Sequence, residues 1–187
     1  MSVKESPETR GTEEVKFRRI LVTTDGSIFG NAALPFALDL ALTYGAELTV
    51  CHVIPDPMLQ LLGTGPYSYN YAEEERACRE GAKRVLTGAL AQLRGLQPRP
   101  LLLDGRARDV ADCIAEAVQT EHINALVMGT HRHGGLLNLL VGSVAQRVLQ
   151  QVSVPTLLVR PESGLIAPCL SDQPPTVAAS NGQSSES

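Results

Sequence analysis

At 187 residues, with 43% apolar side chains and no tryptophan, the chain is long enough for one domain with a real core. Its formal charge of −4 belongs to the tails, since residues 16–160 hold 14 Lys and Arg against 13 Asp and Glu, which excludes the basic excess of a nucleic-acid surface. Four cysteines (Cys51, Cys78, Cys113, Cys169) without a Cys-x-x-Cys pair exclude a zinc ribbon or disulfide scaffold, and no apolar run approaches ~18 residues, so a soluble cytoplasmic protein with no membrane partner is expected.

Residues 1–15 are polar and of mixed charge, and are expected to form a disordered arm. Arg18 to Thr24 reads as a first strand running into Asp25-Gly26-Ser27, which places Asp25 at the strand end where ligands of an open parallel sheet collect. A helix is expected from about Asn31, or with a kink at Pro35, with Leu34, Leu38, Ala41 and Leu42 inward and Gly45 as its stop. Glu47 to Ile54 is a second strand, broken by Pro55-Asp-Pro57. Met58 to Tyr71 reads as a long loop of the kind that covers a ligand edge, with Gly63-Thr-Gly65 a weak phosphate candidate. A helix opened by Glu73-Glu-Glu75 carries Ala82, Val85, Leu86, Ala89, Leu90 and Leu93 at helical spacing. Arg99 to Leu103 is a strand ending in the turn Asp104-Gly105, followed by a helix over 107–121 with Val110, Cys113, Ile114, Ala117 and Val118 inward.

Residues 123–159 carry the strongest signal. Ile123 to Met128 is a short apolar strand closed by Gly129, and a glycine-rich loop leads through Gly142-Ser143 into a helix with Val144, Ala145, Val148, Leu149 and Val152 on one face. Ser143 is expected to cap that helix, with Gln146 completing a capping box. A glycine followed by a helix start leaves backbone amides open to an anion; relief of a tight turn explains the same spacing equally well. Val154 to Val159 is the fifth strand, and residues 161–187 are expected to be a disordered tail. Strands alternating with helices predict a single α/β domain over 16–160, a doubly wound five-stranded parallel sheet with helices on both faces, whose strand order stays open.

Three pieces together resemble the universal stress protein family: Ile20-Leu-Val-Thr-Thr-Asp25-Gly-Ser27; Gly45 through His52-Val53; and Val127-Met-Gly129-Thr-His through Gly142-Ser143-Val144 to Val154-Pro155. The resemblance implies a Rossmann-like fold of the adenine nucleotide alpha-hydrolase type. Nucleotide-binding members carry Gly, two residues, Gly, nine residues, then Gly-Ser or Gly-Thr around the phosphates of ATP. Gly129 stands for the first glycine and Gly142-Ser143, followed by Val144, for the last pair, while Arg132 replaces the second. The Arg132 guanidinium either obstructs the phosphates or pairs with them, so Arg132→Gly strengthens ATP binding in the first case and weakens it in the second. Asp25 matches the acid beside the adenosine, Thr23 stands where a proline is frequent, next to Thr24, and Val53 and Met128 match positions lining the base.

Read as residues alone, Asp25 is equally good turn chemistry, and Thr130 either offers its hydroxyl to phosphate or finishes its strand. His131 and His133 add charge when protonated or sit in a solvated loop. The resemblance implies an adenine nucleotide ligand (ATP, or ADP or AMP, with or without Mg) and a homodimer paired through strand 154–159. A stress-response switch with at most slow hydrolysis or autophosphorylation is the leading expectation. The alternative is a dimeric partner-interaction module of the same fold that binds no nucleotide. Neither a Walker-type phosphate loop nor a His-x-Gly-His signature is present to support a transfer enzyme.

Overall fold

The computed structural model describes residues 17–56, 70–130 and 142–161. The expected arm, residues 57–69 with Gly63-Thr-Gly65, residues 131–141 with Arg132 and both flanking histidines, and the tail from 162 lie outside them.

Five strands, β1 (Arg19–Thr23), β2 (Glu47–Ile54), β3 (Arg99–Asp104), β4 (Ala125–Gly129) and β5 (Thr156–Val159), form one sheet in the order β3-β2-β1-β4-β5. Every neighbouring pair is parallel. The central strands are apolar in their middles because both faces are covered there: Ile20, Leu21 and Val22 of β1 have no exposed surface. Alternation then sorts them into two cores. Ile20, Val22, Val50 and Val127 pack toward α2 (Leu34–Tyr44) and α3 (Tyr71–Gln92), after a short α1 (Ile28–Asn31). Leu21, Cys51, Leu126 and Met128 pack toward α4 (Val110–Thr120) and α5 (Ser143–Gln151).

The strand order reverses direction at β1. Chain connections leave the C-terminal ends of β1 and β4 toward opposite faces, and a crevice opens between them.

Several boundaries differ from the expected ones, each for a local reason. The helix expected from Asn31 is two pieces, because Ser27 caps an earlier turn, its Oγ accepting the Gly30 amide at 3.0 Å, and Pro35 restarts the chain in the first turn of α2. Leu42, expected inward, is 55% exposed, and the buried face of α2 is Leu34, Ala37 and Ala41. Helix α3 starts at Tyr71, two residues ahead of the acidic run. In α4 the start moves from 107 to Val110, because the Asp109 carboxylate accepts the Ala111 amide at 2.8 Å and Ala107 adopts φ 53°.

At the β3 edge, Arg106 joins the Asp104 carboxylate and Glu75 of α3. Hydrogen bonds from Arg106 hold the Asp104 carboxyl down at about 2. This bridge fixes the first turns of α3 over the end of the sheet, next to the crevice.

Candidate functional site

The crevice is a cavity of about 610 Å³ above the C-terminal ends of β1, β2 and β4, walled by α3 on one side and by α4 and α5 on the other. Of the residues singled out in the sequence, Thr23, Thr24, Asp25, Val53, Met128, Gly129, Gly142, Ser143 and Val144 line it. Arg132 and His133 lie outside the described residues. Thr130 is absent from the lining: its amide and hydroxyl both meet the Val159 carbonyl, at 2.9 and 3.4 Å, so it ties β4 to β5.

Asp25 follows the last residue of β1 by two positions and is exposed. Its Oδ1 accepts the Ser27 amide at 2.9 Å and the Ser27 hydroxyl at 2.6 Å, so the carboxylate is oriented by its own turn. The turn reading and the ligand reading of this residue therefore share one geometry. Gly26 takes φ 82°, and Thr24 closes the turn: its Oγ1 accepts the Gly26 amide and donates to Asn31 Oδ1 at 2.6 Å. Gly30 lets α1 pass close beside the acid, since a Cβ there would stand 2.2 Å from Asp25 Oδ1.

Opposite, α5 begins one residue earlier than expected. Gly142 is its N-cap, and the Gln146 amide bonds the Gly142 carbonyl at 2.9 Å. Ser143 is already helical and caps nothing, so the expected capping box does not form; a cap needs the extended backbone that Gly142 has instead. The consequence favours an anion, because among the described residues no side chain caps the first amides of α5, at a helix end that lines the cavity. The buried face of this helix is also narrower than expected: Ala145 and Val148 are buried, whereas Val144 and Leu149 are 37% and 41% exposed.

Two parts of the site escaped the sequence reading. His52 is buried and lines the cavity, its Nδ1 2.8 Å from the Thr24 carbonyl oxygen. Its signal was an imidazole inside an otherwise sheet-buried run, three residues short of the strand-breaking proline. The α3 wall is Cys78, Gly81, Ala82 and Val85, where small side chains at one-turn spacing leave room beside the sheet. That pattern reads as core until the helix is known to flank an open strand edge.

Burial pushes the Cys51 thiol up to about 12, with Cys113 adding to it. Cys78 is raised by burial and by Glu74 and Asp56, yet it is half-buried at the cavity wall. Alkylation of native protein at pH 8, followed by peptide mapping, is expected to label Cys78 and to spare Cys51 until denaturant is added. Equal labelling of the two would remove Cys51 from the core.

Comparison with known proteins places this geometry. The family model described as the universal stress protein family matches residues 16–160. A universal stress protein of Thermus aquaticus, from the QAH/OAS sulfhydrylase 3′ region, is 33% identical over 144 residues, covering 77% of this chain and 99% of its own length. A crystal structure of a protein of that family from Burkholderia pseudomallei shares 30% identity and a TM-score of 0.60, covering 76% of this chain and 96% of that one. A universal stress protein from Archaeoglobus fulgidus, solved in complex with dAMP, shares 23% identity and the fold, with a TM-score of 0.53 and coverage of 77% and 98%. The strand order, the lined crevice and the match across the folded domain agree: the chain belongs to the universal stress protein family.

Proposed function

We propose that the crevice binds an adenine nucleotide, ATP foremost, and that occupancy acts as a stress-response switch with at most slow hydrolysis or autophosphorylation. The observation that carries this reading is the pairing of two chemistries across one cavity: an oriented, exposed carboxylate at the end of β1 faces a helix start whose amides have no side-chain cap among the described residues. A carboxylate accepts hydrogen bonds from sugar hydroxyls, and bare helical amides with the positive end of the dipole hold phosphate. Val53 and Met128 supply apolar surface between them for the flat base, while Thr23, Thr24 and Gly129 form the floor. A volume of about 610 Å³ suits a ligand of nucleotide size. The relative solved with dAMP supports the same class of ligand. In this reading Gly142, Ser143 and Val144 present the phosphate-binding amides, and Arg132 and His133 act from the segment that follows β4. Mg would enter with ATP, held by its phosphates.

Calorimetric titration of the whole protein with ATP, ADP, AMP and GTP tests it. The expected result is saturable heat with the adenine nucleotides and at least tenfold weaker binding of GTP, about 1.4 kcal/mol. No heat with any of the four overturns the reading in favour of the partner-interaction module.

We also infer a homodimer through β5. It is the last strand on its side of the sheet among the described residues, and Leu157 is 40% exposed on it. An edge of this kind calls for cover by a second strand.

A further inference from the structure

We propose that His52 is a positioning residue: its imidazole ends the β1–β2 ladder one rung early and so keeps the Val53 amide open toward the cavity. This rests on the nucleotide reading only for what the amide then meets.

The register of β1 with β2 runs from Arg19 opposite Glu47 to Thr23 opposite Cys51. One residue further, the Thr24 amide still donates to the Cys51 carbonyl at 2.9 Å. In a parallel ladder, a residue that donates to one position accepts from the position two further on, so the Thr24 carbonyl should take the Val53 amide next. It does not. The Thr24 oxygen is instead 2.8 Å from His52 Nδ1, and no bond joins it to Val53.

The missing rung is not a fraying of β2. That strand continues to Ile54, and Val53 keeps its register with Leu103 of β3. The cause lies on the β1 side. A carbonyl oxygen only accepts, so Nδ1 carries the imidazole proton and donates it. A carbonyl also has two lone pairs, so the proposal requires the imidazole to hold this one in an orientation that the Val53 amide does not reach. His52 is 8% exposed, which holds the ring in place for this task.

The chemical consequence is local. Peptide groups of Cys51 and Val53 point to the same side of β2, and among the described residues no strand continues on that side beyond Thr24 to receive the second. Val53 lines the cavity, so its N–H is offered to an acceptor on whatever flat, polar group lies against it, such as a ring nitrogen of a purine. A buried backbone donor held open in this way favours ligands that can satisfy it over those that cannot.

The test compares native protein with His52→Leu, which removes the donor at similar volume, and His52→Asn, whose Nδ2 takes the place of Nδ1. Hydrogen exchange of the Val53 amide is followed by NMR on the ligand-free full chain. Expected is fast exchange in native protein, at least about tenfold slower exchange in His52→Leu as the rung closes, and return to the native rate in His52→Asn. ATP affinity should fall about tenfold in the leucine variant and recover in the asparagine variant.

If His52→Leu does not fold, His52→Gln replaces it, since its donor stands one carbon too far out to hold the same carbonyl. A Val53 amide already protected in native protein overturns the proposal, as does one rate shared by all variants. If the amide behaves as expected while no variant, native included, binds ATP, the strand-end role stands and the nucleotide reading falls.

Discussion

Asp25→Ala is expected to weaken ATP binding about 100-fold, and Asp25→Asn only about tenfold. Hydrogen bonds from hydroxyls to a charged acceptor are worth roughly 1.5–3 kcal/mol, and both substitutions remove the charge. They differ in the turn. Oδ1 accepts the Ser27 amide and hydroxyl, and asparagine keeps a carbonyl oxygen there, whereas alanine releases both groups. Ser27 in turn caps α1 through Gly30, so the alanine variant also loosens the piece of chain packed beside the acid. Calorimetry on both variants, with melting temperatures to show that each is folded, reads the difference. An alanine variant that binds ATP as tightly as native protein would remove Asp25 from the site.

Most of the fold could be read from the chain because its apolar runs are bounded by residues with strong local preferences. Glu47 to Ile54 was recovered to the residue, since Gly45 and Pro55 fence it on either side. Strand order was not readable, because a parallel connection of a given length can land on either side of its predecessor; only the packed sheet shows β1 between β2 and β4. The errors cluster where two local signals competed. Ser143 is the better capping residue by type, but the glycine before it takes the extended backbone and the cap position with it. Pro35 points to a helix start close to Asn31, whereas Ser27 already begins a separate turn seven residues upstream of Leu34.

The candidate site divides in the same way. Asp25, Gly129 and Gly142 were visible because each combines an unusual residue type with a strand or helix end. His52 and the α3 wall were not, because their part depends on partners distant in sequence: His52 meets Thr24 across 28 positions, and Cys78, Gly81 and Ala82 matter only where α3 overhangs β2. Periodicity assigns such residues to a buried face. It does not say that the face borders a crevice.

Gly129→Ala should be the most damaging of the glycine-to-alanine changes among the described residues. A Cβ at this position would stand 2.1 Å from the Phe29 carbonyl oxygen, 2.8 Å from its carbon and 2.9 Å from Gly30 Cα. All three are backbone atoms of α1, so no side chain can swing away, and the helical turn itself must retreat by about an ångström. That turn carries Gly30 against the Asp25 carboxylate and is anchored by Ser27, so its displacement reaches the acid as well as the packing of β4. Overpacking of this kind costs about 3 kcal/mol, and ATP affinity should fall at least tenfold alongside it. Gly88→Ala provides the matched control. Gly88 lies inside α3 and an added Cβ meets nothing within 4 Å, so the same methyl should stabilise by about 0.5–1 kcal/mol through helix propensity and leave binding unchanged. Urea unfolding of both variants distinguishes a steric conflict at the base of the crevice from a general response to losing a glycine. If Gly129→Ala unfolds at the native midpoint and binds ATP normally, α1 is not held against the end of β4, and the positioning of Asp25 must be sought elsewhere.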